Sequence, residues 1–243
     1  APSTWYEAHL KTPDWELYGH HLAGIPFALL GHNRRMAWGV TMLQNDDLDY
    51  YRERANPANP DQVWFRDHWE DLKIIEETIS VKGGEDNPLR VRISRHGPII
   101  NDVLESVEKT EIQPVALAWE MLKNFENSTE QVFYELGHSE SLANSRAAVS
   151  KLHAPGLNIN YGDAEGNIAW WGAARLLIRP EHVNSFVILD GASGKDEVLG
   201  YRDFSENPQS ENPKSGILFN GNNQPGDTGS GLEPGYYAPE ERA

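Results

Sequence analysis

The sequence has no cysteine. That excludes disulfides, zinc–thiolate centres and a cysteine nucleophile, while leaving the compartment open. It also lacks any apolar run near the roughly 18 residues of a transmembrane helix. Basic residues are few, 21 against 37 acidic, for a formal net charge of −16. Such a surface repels phosphate backbones and anionic headgroups, so neither nucleic acid nor a membrane is expected as a partner. The chain starts Ala1-Pro2, without an initiator Met or a signal peptide, so processing or cutting from something longer is expected. No internal repeat or low-complexity tract is visible.

What is present suits a packed domain: 243 residues, of which 39% are hydrophobic. The central stretch runs from Phe27 to Glu53. Its apolar runs, 27–30 and 37–42, read as buried strands joined by a tight turn at Gly31-His32-Asn33. Upstream, residues 1–26 read as one or two extended segments. His20 and His21 fall on opposite strand faces and do not readily share a metal. Asn56 to Pro60 is turn chemistry. Ile74–Val81 and the alternating Leu89–Ile93 read as a half-exposed hairpin whose arginines are solvated or paired with acids. His96-Gly97-Pro98 is a turn, and 114–120 a short buried strand.

Two helices are expected next. The first is capped by Ser128 and stopped near Gly137; the second is capped by Ser139. Residues 156–161 and 168–171 form a hairpin around the turn 162–167. Gly191 to Lys195 lacks the spacing of a phosphate loop and reads as a turn. The last block, 191–243, reads as irregular with one strand. Its apolar island is Gly216-Ile217-Leu218-Phe219.

Three places carry possible chemistry. Asp46, Asp47 and Asp49 repel one another, and they either supply part of a calcium site or are simply solvated. Asn158 is an amide on a strand where Leu157, Ile159 and Tyr161 alternate with Asn158 and Asn160; it is either solvated or a donor aimed into a cleft. The backbone around Thr41-Met42 is a second possible donor. Glu76 and Glu77 show no sign of facing each other across a glycosidase cleft.

These motifs, in order, resemble the β-chain of the penicillin acylase family, within the N-terminal nucleophile hydrolases. The likeness includes Trp5-Tyr6-Glu7-x-His9-Leu10, Gly31-His32-Asn33, Ala37-Trp38-Gly39-x-Thr41, and Asn45-Asp46-Asp47-x-Asp49. It continues through His96-Gly97-Pro98, the Gly156-to-Ile168 block, Asn222-Asn223-Gln224-Pro225 and Gly235-Tyr236-Tyr237. The resemblance implies an α+β fold, a β-rich part of a four-layer αββα sandwich. Its blocks would be 1–53, 54–113, 114–190 and 191–243. It implies hydrolysis of an N-acyl amide, a β-lactam or an acyl-homoserine lactone, by an N-terminal serine whose own α-amine is the base. The oxyanion donors would be the Met42 N–H and the Asn158 side chain, with Arg179, or Arg175, nearby. Leu30 and Val40 would line the acyl pocket. Calcium would be held by Asp46, Asp49 and the Leu48 carbonyl. The partners implied are the α-chain and the rest of the β-chain, in the periplasm or outside the cell. The family's N-terminal serine, and the Asn-Asp-Pro-His-Leu segment after it, are not among these residues. The chain is therefore expected to be an internal β-chain piece, inactive alone. A calcium-dependent carbohydrate-binding module, with eight Trp and nine Tyr for stacking, is the rival expectation.

Overall fold

The computed structural model describes residues 4–101, 103–104, 113–123, 129–225 and 235. In chain order the first strands are β1 (Trp5–Lys11), β2 (Glu16–Leu22), β3 (Leu30–His32), β4 (Met36–Met42), β5 (Leu48–Arg52) and β6 (Arg54–Asn56). Then come β7 (Asn59–Phe65), β8 (His68–Asp71), β9 (Lys73–Ile79), β10 (Asn87–Ile93) and β11 (Val115–Trp119). Helices α1 (Thr129–Gly137) and α2 (Leu142–Val149) precede β12 (Leu157–Asp163), β13 (Ile168–Ala173), β14 (Leu177–Ile178), β15 (Leu189–Asp190), β16 (Gly200–Tyr201) and β17 (Gln209–Glu211). The chain divides into two compact units: 1–47 with 123–177 and 201–243, and 48–122 with 178–200. Among the described residues no helix is long and apolar enough to cross a membrane.

The first unit is built on a seven-stranded sheet, ordered β1-β2-β3-β4-β12-β13-β17. One face is apolar. Leu17, Met36, Trp38, Ile159, Ala169 and Trp171 project from it and pack with Val132, Phe133 and Leu136 of α1 and Ala148 and Val149 of α2. Strand alternation explains the pattern: Leu157, Ile159 and Tyr161 join this core, so Asn158 and Asn160 face the other side. His20 is exposed and His21 buried, as alternation requires.

Four local expectations are corrected. Gly31 and His32 belong to β3; the turn is 33–35, where the Asn33 side chain accepts from the N–H groups of Arg35 (2.8 Å) and Met36 (3.0 Å). Residues 27–29 are not strand, although Ala28 and Leu29 are buried. Helix α2 is capped by Ser141, whose Oγ accepts from the Asn144 N–H, and not by Ser139. Ser139 is spent elsewhere: its hydroxyl donates to the Glu135 carbonyl, and its own carbonyl accepts from Asn33. The 216–219 island is not strand, with Phe219 77% exposed; among the described residues the strands of the last block are β16 and β17. The cap expected at Ser128 lies outside the described residues.

Gly19 and Gly31 face each other across β2 and β3. A Cβ on Gly19 would lie 2.3 Å from the Leu30 carbonyl oxygen and 2.8 Å from the Gly31 Cα. Backbone cannot yield as a side-chain tip can.

The second unit has a three-stranded sheet with β5 between β11 and β15, the hairpin β9–β10, and the meander β6-β7-β8. The hairpin is the expected one, and Arg90 pairs with Asp61 at 2.7 Å. β5 turns Asp49 and Tyr51 inward, and Glu53, just past its end, is buried with them. Asp49 Oδ2 accepts from Arg179 Nε at 3.0 Å, and the Tyr51 hydroxyl donates to the Asp196 carbonyl at 3.1 Å. Glu53 lies 2.8 Å from His96 Nδ1, while His96 Nε2 lies 2.7 Å from Glu197. The imidazole stacks on Tyr51 at 4.0 Å and meets Phe65 edge-on. Gly97 then takes a φ of +147°, and a Cβ there would lie 2.0 Å from the Leu117 carbonyl oxygen. The glycine lets the His96 turn press against β11.

Burial disfavours the His96 imidazolium, but the bonds to Glu197 and Glu53 outweigh it, and the pKa is raised above the ordinary 6.5. Burial likewise works against the Glu197 carboxylate, yet its bond to His96 holds its pKa below the ordinary value. A raised histidine pKa contributes stability that is complete below about pH 6.5 and lost as pH rises through the folded value. A lowered carboxylate pKa contributes stability present above about pH 4.3 and lost as pH falls through the folded value.

Two outcomes are expected. Gly19→Ala lowers stability by about 1–3 kcal/mol in chemical denaturation, because overpacking against backbone has no cheap relief. An unchanged midpoint would contradict the close approach of β2 and β3. The melting temperature falls as pH is raised from about 6 to about 9, and His96→Gln flattens that slope. Parallel pH profiles for parent and variant would show that His96 does not carry the dependence.

Candidate active site

The candidate site lies in the first unit, where β4 meets β12. The two strands are antiparallel, with Leu157 opposite Met42 and Asn158 opposite Thr41. The Leu43 N–H donates to the Gly156 carbonyl at 2.9 Å. Inward and outward bonding alternates along such a ladder, so Met42 turns its own N–H and C=O away from β12. On that other side, β3 pairs with β4 only at Gly31–Trp38 and His32–Ala37. Met42 lies beyond the paired stretch and is 46% exposed.

Side chains gather around this backbone. Asn158 is buried, with 2% of its surface exposed. Its Nδ2 donates to the Met42 carbonyl at 3.1 Å and to Thr41 Oγ1 at 3.2 Å. Its Oδ1 accepts from Trp170 Nε1 at 3.0 Å. The Thr41 hydroxyl donates to Asn220 Oδ1 at 2.5 Å, and Asn222 Nδ2 donates to the Met42 carbonyl at 2.7 Å. The result is a neutral patch of amide and peptide donors, which can receive developing negative charge without adding a net charge of its own.

The structure thus brings Met42 and Asn158 together. Leu30 and Val40 are half-buried and pack against the apolar cluster. Val40 is paired with Ile159, so it shares the helix-covered face, opposite Thr41 and Asn158. Arg179 belongs to the second unit, where its guanidinium holds Asp49. Arg175 belongs to the first, over the Tyr201 ring at 5.5 Å. Asp46 and Asp49 are both buried, and Leu48 opens β5.

Calcium takes six to eight oxygens. Asp46 of the first unit offers carboxylate oxygens, Leu48 and Asp49 of the second offer a carbonyl and a carboxylate, and one Asp49 oxygen already accepts from Arg179. Among the described residues no three His, Asp or Glu side chains are grouped to hold a metal.

Thr41, Trp170, Asn220 and Asn222 were not foreseen as a group. The signal for Trp170 lies in register: on the return strand it falls on the same face as Asn158. Asn220 and Asn222 come from far along the chain, and only folding places them against Thr41 and Met42.

The architecture has known counterparts. A solved structure of a thermostable penicillin G acylase from Alcaligenes faecalis superimposes with a TM-score of 0.85 at 26% identity, covering 98% of this chain and 41% of that one. The fold is therefore that of an N-terminal nucleophile hydrolase, in a β-rich α+β portion. The family model described as penicillin amidase matches residues 1–243, and the chain belongs to that family. Relatives include the acyl-homoserine lactone acylase QuiP of Pseudomonas aeruginosa, 28% identical over 98% of this chain and 29% of its own length. The penicillin G acylase of Escherichia coli is 26% identical over 93% of this chain and 26% of its own length. The chain spans under a third of the length of these curated relatives.

Proposed function

We propose that this chain is the oxyanion-binding segment of an amide hydrolase that cleaves N-acylated small molecules. The observation supporting this is the meeting of the Asn158 amide with the outward-turned backbone of Met42 on a scaffold of the penicillin amidase family. Substrates of the two kinds named for the relatives, a penicillin-type β-lactam amide and an N-acyl homoserine lactone, both present a secondary amide carbonyl to such donors.

In this reading the nucleophile is a serine hydroxyl at the N-terminus of the processed β-chain, supplied from outside this sequence. Its own α-amine takes the hydroxyl proton as the oxygen adds to the amide carbonyl. The carbonyl oxygen becomes an oxyanion, received by the Met42 N–H and one N–H of Asn158. Both Asn158 protons are engaged within the chain, on Thr41 and Met42, so the oxyanion takes over one existing bond. The α-ammonium returns that proton to the amide nitrogen as the C–N bond breaks and the amine leaves, and water, deprotonated by the same α-amine, then releases the acid from the acyl-serine ester. Arg179 acts here on Asp49 and is not given a step. Calcium would be a structural ion in this proposal, for which Asp46, and separately Leu48 and Asp49, would be oxygen donors; when bound it would supply positive charge to buried carboxylates.

In the full-length protein, Asn158→Ala is expected to lower kcat by roughly 10²–10³-fold on phenylacetyl or fatty-acyl amides, the usual loss for one oxyanion donor. Turnover within a factor of a few of the parent would reject the oxyanion role. Chelation of calcium is expected to lower the melting temperature of the full-length protein, and Asp46→Asn with Asp49→Asn to remove that effect. A melting curve indifferent to chelator would reject the ion.

A further inference from the structure

An asparagine side chain has two ends of nearly equal shape, one donating and one accepting. The oxyanion role requires the NH₂ end of Asn158 to face Met42. In the reverse orientation the Asn158 carbonyl would confront the Met42 carbonyl and repel an oxyanion. The contacts at Thr41 do not decide between them, because a hydroxyl both donates and accepts. Trp170 is different: an indole N–H only donates. Its Nε1 lies 3.0 Å from Asn158 Oδ1.

The bonds then run in one direction. Trp170 donates to Asn158 Oδ1, Asn158 Nδ2 donates to Thr41 Oγ1, and the Thr41 hydroxyl donates onward to Asn220 Oδ1. The sheet makes this possible. Asn158 is paired with Gly172, which brings no side chain to the pair, and Trp170 sits diagonally across on the same face. A diagonal neighbour at that spacing is within reach of an indole. Trp171, its neighbour in sequence, points to the opposite face and is fully buried in the core, so the two tryptophans have separate tasks.

We propose that Trp170 is a positioning residue that fixes the orientation of the Asn158 amide and so sets the oxyanion donor. The inference rests on the oxyanion reading of Asn158 given above. It assigns to Trp170 a polar function that the packing of its ring does not require.

The test is a double-mutant cycle in the full-length protein, using Trp170→Phe, Asn158→Ala and the double variant. Trp170→Phe is expected to lower kcat roughly tenfold with KM changed less than about twofold, the loss of one oriented hydrogen bond. In the Asn158→Ala background the same change is expected to cost less than about twofold, because a residue acting through Asn158 has nothing left to orient. Equal losses in both backgrounds would make Trp170 merely structural and overturn the inference. If Asn158→Ala is severe while Trp170→Phe is harmless, the oxyanion reading survives and the positioning role fails. If Asn158→Ala is itself harmless, the reading beneath the inference fails. Should Trp170→Phe not fold, 3-benzothienylalanine at position 170 keeps the ring shape and removes only the N–H. Loss of kcat with that replacement supports the inference, and parent-like kcat overturns it.

Discussion

The arrangement at Met42 depends on one constraint, the register of β4 against β12. Asn158 lies opposite Thr41 and Leu157 opposite Met42. A slip of one residue would send Asn158 into the apolar core and Ile159 out of it, since side chains alternate with a period of two. The register is held by burial. Trp38, Tyr161, Ile159 and Trp171 all belong to the cluster beneath the two helices. A hydrophobic core on one face of the sheet thereby fixes the placement of polar groups on the other. The polar arrangement at Met42 is thus a by-product of packing, with hydrogen bonds supplying the final orientation.

The second unit uses polar groups differently. Along β5 and just beyond it, Asp49, Tyr51 and Glu53 are buried, and each is answered by a partner brought from elsewhere in the chain. Arg179, Asp196 and Glu197 come from the 178–200 segment, which also adds β15 beside β5. His96, between two carboxylates, converts what would be repelling negative charge into attraction. Breaking one member of such a buried set strands the others, which commonly costs about 3–5 kcal/mol. This unit therefore depends on charge compensation where the first depends on apolar packing.

Family membership and this geometry support the same reading from separate directions. The relatives carry acylase names, and the Asn158 and Asn222 side chains bring neutral amide groups to the Met42 backbone. Neither depends on a metal at Asp46 or Asp49.

Much of this was legible in the amino-acid order. The hairpin of β9 and β10, the β12–β13 hairpin and the short buried strand β11 follow from local alternation and turn chemistry, which act over a few residues. Asn158 stands out because one face of an alternating strand carries amides in place of apolar groups, and the order of motifs marks the family. The turn at 33–35 and the cap at Ser141 are each displaced by two residues from their expected places. Several residues compete for such local bonds, and tertiary contacts choose among them: Asn33 reaches the carbonyls of Gly137 and Ser139, which removes Ser139 from capping. The joining of 178–200 to 48–122, the charge set around His96, and the gathering of Trp170, Asn220 and Asn222 near Asn158 were decided by tertiary structure alone. Each depends on residues distant in the chain meeting at hydrogen-bond distance, and no local pattern of hydrophobicity or turn residues encodes which distant partner arrives.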